Sequence, residues 1–150
     1  MKIDDAIQSK FTSSQQKAIV NIRFTANFLG NFQTHFMAKY GLTMPQFNIL
    51  RILRGAKGEI NVNTVKERMV EKSPNTTRLM DKLIDKGLIV RSRCKEDRRV
   101  VYVKITENGL KLLSEIDENA LGTSLNNIGL SDEESNTLSD LLDKVRLNFE

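Results

Sequence analysis

The fold is decided by NVNTVKERMVEKSPNTTRLMDKLIDKGLIVRSRCKEDRRVVYVKIT, residues 61–106. The apolar positions of residues 61–69 recur at helical spacing. A second helix is expected between Ser73 and Gly87, because Ser favours helix starts and Gly favours helix ends. From residue 88 to 106 the hydrophobic period changes to two around a basic tip, which predicts a β-hairpin. Two angled helices followed by such a ribbon form a winged helix-turn-helix, so DNA binding is the first hypothesis.

Positive charge is concentrated in the first two thirds of the chain. The 150 residues carry a net charge of +4, to which residues 1–60, 61–106 and 107–150 contribute +5, +6 and −7. A positive block beside a negative one indicates that one part of the molecule meets a polyanion. The alternative is a helical protein whose solvated faces differ in charge. The length favours one domain, residues 1–150, with a core of its own.

The composition argues against a secreted, disulfide-rich protein and against a membrane-spanning protein. Cys94 is the only cysteine, so no internal disulfide can form. The N-terminus lacks the apolar run of a signal peptide, and no stretch of about eighteen apolar residues predicts a membrane span. The sequence therefore predicts a cytoplasmic protein with no membrane partner.

The middle of the chain, about residues 43–106, is predicted to be the DNA-binding part, and we call it the reading unit. Its first helix is expected to begin at Thr43, because the Thr43 hydroxyl and the Gln46 side chain together match a capping box. Gly55 and Gly58 are expected to end that helix.

Amphipathic helices are predicted on both sides of the reading unit, in about residues 1–40 and 107–150. One helix is expected at about residues 13–39, where Gly30 leaves room for another helix to approach. The last helix follows a capping box at Ser131. Its apolar stripe consists of Leu138, Leu141, Leu142, Val145 and Phe149.

These terminal helices predict a homodimer. Amphipathic helices must bury their apolar faces against something. A two-fold dimer also reads two identical half-sites of DNA. The alternative is that the terminal helices pack only on each other within one chain.

Polar side chains that suit DNA are grouped on the second helix of the deciding stretch. The candidates are Ser73, Asn75, Thr76, Thr77, Arg78 and Lys82. Asn75, Arg78 and Lys82 are spaced to share one helical face. Arg can bond guanine and Asn can bond adenine through paired hydrogen bonds, while Thr offers a hydroxyl and a methyl group. Ser73 at the helix start suits a phosphate. The alternative is an ordinary solvated helix face.

The hairpin tip supplies a second group of candidates, namely Lys95, Asp97, Arg98 and Arg99. An arginine at a β-turn can enter the narrow minor groove, where the negative potential is strongest. Asp97 precedes Arg99 by two residues, and we expect its carboxylate to accept the Arg99 guanidinium and to hold it in one orientation. The alternative is a basic tip that only confers solubility.

Both groups of residues resemble the MarR family of bacterial regulators. Residues 73–83, SPNTTRLMDKL, and residues 86–89, KGLI, resemble that family's recognition helix and its exit. Residues 97–99, DRR, and a strand ending in residues 106–109, TENG, resemble the wing and the start of the following helix. The resemblance covers nearly the whole chain. It implies a mainly α fold with a small β-hairpin wing (α+β), a winged helix-turn-helix with N- and C-terminal dimerisation helices.

The same resemblance implies how such a protein functions. Members form homodimers that bind a pseudo-palindromic operator in double-stranded DNA near their own promoter. They usually repress transcription, and they often release DNA when a small ligand or an oxidant arrives. The alternative is a winged-helix adaptor that binds protein or RNA and reads no operator. The pairs Asn75 with Arg78 and Asp97 with Arg99 favour DNA reading, because an adaptor does not need them.

The resemblance also implies a pocket for a small aromatic acid between the dimerisation helices and the reading unit. The residues expected there are Phe32, His35, Phe36, Phe47 and Arg51. His35 and Arg51 would be the partners of a carboxylate. The alternative is ordinary core packing with a partly exposed histidine.

The sequence predicts no enzyme, no cofactor and no metal site. Its single His and single Cys are far apart, which argues against a helical zinc pair, and no phosphate loop or nucleophile elbow is present. The family's hydroperoxide sensors carry a reactive cysteine near the N-terminus, which this chain lacks. Cys94 has basic neighbours that favour a reactive thiolate, and the alternative is a small strand residue.

Overall fold

The computed structural model describes residues 1–8, 10–121, 123 and 125–150. The elements follow in the order α1 (Ile3–Ile7), α2 (Ser14–Ala38), α3 (Met44–Ala56), β1 (Ile60–Asn61), α4 (Val62–Arg68), α5 (Thr76–Asp85), β2 (Ile89–Arg93), β3 (Val101–Ile105), α6 (Glu107–Ala120) and α7 (Asp132–Leu147). This mainly helical fold with a hairpin wing confirms the predicted fold class.

The chain divides into two compact units, Met1–Ile116 and Asp117–Glu150. The first unit contains α1 to β3 and most of α6, whereas α7 belongs to the second. The single domain expected for residues 1–150 stays a prediction. Within the described residues, no helix is both long and apolar enough to cross a membrane.

The two predicted capping boxes are confirmed. In the first, the Thr43 hydroxyl accepts the Gln46 backbone N–H at 3.3 Å, and Gln46 Oε1 accepts the Thr43 N–H at 3.0 Å. In the second, Ser131 and Glu134 exchange the same pair of hydrogen bonds at the start of α7. Each box satisfies backbone donors that have no partner inside the helix, and so fixes where the helix begins.

The end of α3 lies between Gly55 and Gly58, the two residues predicted to end it, whereas the predicted start of α5 is wrong. Gly55 lies inside α3, which ends at Ala56 because Lys57 turns into the left-handed region at φ 54°. The helix expected to begin at Ser73 begins at Thr76 instead. Ser73 Oγ accepts the N–H of Asn75, two residues on, in a local turn, so Ser73 does not cap the helix.

The hairpin is joined by a third strand that the sequence did not predict. β3 lies in the centre of the sheet, with β1 and β2 antiparallel on either side. β1 contributes only Ile60 and Asn61, which pair with Val103 and Tyr102. This pairing fixes the start of α4 against the base of the wing.

Fully buried apolar side chains hold the reading unit together. Ile49, Leu50 and Leu53 of α3, Val65 of α4, Leu83 of α5 and Val103 of β3 are at most 1% exposed. The start of α6 docks closely on this core, because a Cβ at Gly109 would lie 2.4 Å from the Leu88 carbonyl oxygen. The Thr106 hydroxyl accepts the Gly109 N–H and donates to the Gly87 carbonyl. The TENG pattern thus has a packing role.

Candidate nucleic-acid interface

One face of α5 is polar and open to solvent. Thr77, Arg78 and Lys82 are exposed on the helix, and Asn75 is exposed at its N-cap position. The opposite face buries Met80 and Leu83, among other side chains, in the core of the reading unit. The core therefore fixes which side chains α5 presents outward.

Two of the candidates at the start of this helix are placed differently from the prediction. Thr76 is only 1% exposed, and its hydroxyl donates to the Ser73 carbonyl at 2.8 Å. The Thr76 side chain is therefore buried in the reading unit and cannot contact a base edge. Ser73 is half-buried, and its hydroxyl already accepts the Asn75 N–H at 3.2 Å.

The tip of the wing is a tight turn. The Val100 N–H donates to the Asp97 carbonyl and the Cys94 N–H donates to the Val100 carbonyl, both at 3.0 Å. Arg98 and Arg99 occupy the two central positions and are exposed. The Asp97 carboxylate accepts the backbone N–H of Arg99 at 2.9 Å, whereas we expected it to accept the guanidinium. Asp97 therefore holds the shape of the turn.

An ion pair links the wing to α5. The Arg91 guanidinium of β2 donates to Asp81 Oδ1 of α5 at 2.9 Å, and both side chains are somewhat less than half exposed. The pair joins α5 to strand β2 of the wing. Asp81 stands ten residues from Arg91, so no local pattern pointed to this contact.

A cleft of about 260 Å³ lies between the wing, α4 and α5, and we call it the wing cleft. Lys66, Arg91 and Arg99 bring three cationic side chains to its walls. Asn63 and Thr77 add polar groups, and Met80 and Val101 add apolar ones. Thr77 and Arg99 are among the residues predicted from the sequence to bind DNA, whereas Lys66 and Asn63 belong to a different helix, α4, for which no DNA contact was predicted.

A second cleft, of about 620 Å³, separates α2 from α3, and we call it the α2–α3 cleft. Phe47 and Arg51, two of the residues expected in an effector pocket, line it, and the Arg51 guanidinium lies 5.8 Å from the centre of the Phe47 ring. Val70 and Glu71, from the turn before α5, also line it. Asn48 Oδ1 accepts the Val70 N–H at 3.0 Å and so joins α3 to that turn.

The other three residues expected in the pocket do not line this cleft. Phe36 is buried, with its ring 5.6 Å from that of Tyr40. Exposed His35 contacts the Asn31 carbonyl through Nδ1 at 2.7 Å, and Phe32 is 41% exposed. The helical period explains the difference, because Gly30, Gln33, Thr34 and Ala38 are the α2 residues that face the cleft.

The described residues contain no cluster of three His, Cys, Asp or Glu side chains that could hold a metal ion. Cys94 is partly buried at the end of β2.

One family profile and two regulators from Bacillus subtilis match parts of this chain. Residues 42–101 match the sequence profile of the MarR family. The chain is 39% identical over 74 residues to YfiV, an uncharacterized HTH-type transcriptional regulator of Bacillus subtilis, and this match spans 49% of the chain and 46% of YfiV. It is 33% identical over 112 residues to the HTH-type transcriptional regulator MhqR of Bacillus subtilis, spanning 73% of the chain and 76% of MhqR.

The fold is shared with proteins of known structure. A crystal structure of mutant MarR from E. coli complexed with operator DNA superposes with a TM-score of 0.76 at 24% sequence identity. The superposition covers 91% of this chain and 98% of that one.

Proposed function

Because the chain belongs to the MarR family of transcriptional regulators, we propose that it is a repressor that binds a pseudo-palindromic operator as a homodimer. It acts in the cytoplasm, and a small aromatic acid or another signal releases it from DNA. The observation that carries the proposal is the Arg91–Asp81 ion pair, which joins α5 to strand β2 of the wing and so sets the spacing between these two elements. A protein that places one element in the major groove and the other in the adjacent minor groove needs that spacing.

Base reading is assigned to α5. Asn75 and Arg78 present an amide and a guanidinium, which suit adenine and guanine respectively. Thr77 and Lys82 stand beside them with a hydroxyl and an ammonium for the backbone. An adaptor that binds protein or RNA is the alternative, and it has no use for a guanidinium directed at a base edge.

The homodimer is supported by apolar side chains that lie in solvent in the single chain. Phe28 of α2 is 66% exposed, and Leu141 of α7 is 56% exposed. Large apolar side chains recurring on one helix mark an association surface. The second copy also supplies the second α5 that a palindromic operator requires. Light scattering at micromolar concentration should give about twice 17.1 kDa, and a monomer would contradict the dimer.

An effector site is assigned to the α2–α3 cleft. The Arg51 guanidinium can pair with a carboxylate while the Phe47 ring packs on an aromatic ring. The cleft reaches Val70 and Glu71 in the turn before α5, so an occupant would act on the position of that helix. A screen of aromatic acids for release of bound DNA tests this assignment, with Arg51→Gln as the variant expected to be insensitive.

Selection of bound duplexes from random DNA tests the function as a whole. We expect a two-fold symmetric consensus. Arg78→Ala should cost about 1–3 kcal/mol on that site and relax selectivity at one base pair per half-site. Lys82→Ala is the control, because a backbone contact weakens specific and random duplexes equally. Enrichment of no duplex would favour the adaptor. If Arg78→Ala, like Lys82→Ala, weakens the binding of specific and random duplexes equally, Arg78 touches only phosphates.

A further inference from the structure

The turn that precedes α5 is tied to α3 by the side chain of Asn48. This turn, residues 69–75, lies between α4 and α5, and we call it the α4–α5 turn. The Val70 N–H donates to Asn48 Oδ1 at 3.0 Å. The Val70 side chain is 84% exposed, so the polar bond and not apolar packing holds this residue in place.

Further hydrogen bonds join the same turn to its two neighbouring helices. The Lys72 ammonium donates to the Glu67 carbonyl at the end of α4. The Thr76 hydroxyl of α5 donates to the Ser73 carbonyl at 2.8 Å. Among the hydrogen bonds between described residues, the one with Asn48 is the bond that connects the turn to α3. A change at Asn48 should therefore alter how the turn, and the start of α5 that follows it, lies against α3.

The opposite end of α5 has a separate tie. The Lys86 ammonium, directly after the helix, donates to the Gly41 carbonyl in the connection between α2 and α3. This contact does not depend on Asn48. Loss of the Asn48 bond should therefore displace the start of α5 more than its end. The start carries Asn75 and Arg78, to which we assign base reading.

Asn48 also lines the α2–α3 cleft. It is half-buried, and its Nδ2 group has no hydrogen-bond partner among the residues that the structure describes. The Val70 N–H is a donor, so the atom that faces it is the amide oxygen, and the NH₂ group is left to meet an occupant of the cleft. A carboxylate that turned this amide toward itself would withdraw the acceptor from Val70 and leave the Val70 N–H to bond water.

We propose that Asn48 is a positioning residue for α5, which holds the start of that helix in the orientation that selective DNA binding requires. An occupant of the α2–α3 cleft that takes the Asn48 amide breaks this hold and lowers selectivity. The inference rests on the proposed function, because it uses the assignments of α5 to base reading and of the cleft to an effector.

Three variants test the positioning role through selectivity, the ratio of the Kd for a random duplex to the Kd for the selected duplex. Asn48→Leu keeps a similar volume but loses the acceptor. It should weaken the selected duplex roughly 2- to 10-fold, the net contribution of one hydrogen bond, and a random duplex less. Asn48→Asp keeps an oxygen for the Val70 N–H, and its charge should weaken both duplexes by the same factor and preserve selectivity. Gln33→Leu is the matched control, because Gln33 lines the same cleft and is not among the hydrogen-bond partners of the described α4–α5 turn.

Hydrogen exchange of the Val70 amide, followed by NMR, connects selectivity to the bond. Exchange should be slower in the parent and in Asn48→Asp than in Asn48→Leu. Unchanged selectivity in Asn48→Leu, together with faster exchange at Val70, would overturn the positioning role. A parent that selects no duplex would overturn the proposed function instead, while the exchange rates still reported the bond.

Benzoate, a small aromatic acid, tests the effect of an occupant. It should lower the selectivity of the parent and the protection of the Val70 amide together, and it should leave Asn48→Leu unchanged. Lower selectivity with Val70 still protected would overturn the route through Asn48. Unchanged selectivity in the parent would overturn the assignment of the cleft to aromatic acids, and with it the part of this inference that concerns an occupant.

Discussion

The helices of the reading unit and the terminal helices share the same hydrophobic spacing, but they bury their apolar side chains to different extents. In α3, Ile49, Leu50 and Leu53 are completely buried, whereas no residue of α7 is buried in the single chain. On α2, Phe28 and Ile19 are more than half exposed. Buried residues of α2 and α6, such as Met37 and Leu113, share the core with α3, whereas most apolar side chains of α7 stay exposed. Periodicity predicts that a helix forms, but it does not say what the helix packs against.

The largest expected effect is a contrast between two leucines. Leu53→Ala should lower the free energy of unfolding by about 2–5 kcal/mol, because it leaves a cavity in a closed core. Leu141→Ala should change the stability of an isolated chain by about 0.5 kcal/mol or less, because the side chain is already exposed. Urea unfolding at two protein concentrations measures both variants.

Concentration dependence separates the explanations for Leu141. If the terminal helices form the dimer, the cost of Leu141→Ala should change with protein concentration, because association stabilises the folded chain by mass action. A cost as large as that of Leu53→Ala, and independent of concentration, would show that α7 is packed within its own chain.

The same substitution at two glycines should have opposite signs. Gly109→Ala should destabilise by about 1–3 kcal/mol, because its Cβ would meet the Leu88 backbone oxygen at 2.4 Å and that atom already accepts the Thr106 N–H. Gly30→Ala should stabilise α2 by up to about 1 kcal/mol, since a Cβ there meets nothing within 4 Å.

Thermal unfolding compares the two glycine variants with the parent. Loss of the dimer in Gly30→Ala would indicate that a second helix lies against Gly30 in the assembly. A neutral Gly109→Ala would contradict the close docking of α6.

The features that the sequence predicted correctly depend on residues close together in the chain. The capping boxes at Thr43 and Ser131 depend on residues three apart, and the structure confirms both. The two hairpin strands were visible as an alternation of hydrophobicity. The start of α5 was misplaced because Ser73 and Pro74 carry helix-start preferences, yet a turn through Asn75 satisfies the Ser73 hydroxyl first. The preference of a residue for a helix start therefore does not place that start when its side chain forms a competing local hydrogen bond.

What the sequence did not predict depends on distant residues. Two-residue β1 has no pattern of its own and exists only through its pairing with β3. Thr76 looked like its neighbour Thr77, and only the packing of α5 buries one and exposes the other. Asp81 pairs with Arg91, a residue ten positions away on a different element, and no local pattern predicts that contact. The predicted DNA contacts of the exposed α5 and wing residues stay predictions.

A smaller effect is expected at the wing, where three variants separate shape from charge. Asp97→Ala should weaken binding, because the turn loses the 2.9 Å bond to the Arg99 N–H, a net contribution of about 0.5–1.5 kcal/mol. Asp97→Asn should bind as well as the parent or better, since its amide oxygen still accepts that bond and the tip becomes more positive. Arg99→Ala should weaken binding.

Titrations of the three variants on one duplex at fixed salt decide between shape and charge at the tip. If Asp97→Ala binds as tightly as Asp97→Asn, the turn geometry has no role in binding and the wing acts only through its charge.

The smallest expected effect concerns α1, whose tie to α2 is ionic and exposed. The Lys17 ammonium hydrogen-bonds the Asp4 carboxylate and holds the pKa of Asp4 below its ordinary 3.8. A carboxyl with a lowered pKa stabilises the folded state above 3.8, and that contribution disappears as the pH falls through the folded-state value. Hydrogen exchange of the α1 amides should therefore show less protection at about pH 3 than at about pH 6, while Asp4→Asn should show little protection at either pH. Because both side chains are nearly half exposed, solvent weakens the pair. Equal pH dependence in the parent and in Asp4→Asn would mean that apolar contacts such as Ile3 hold α1 on their own.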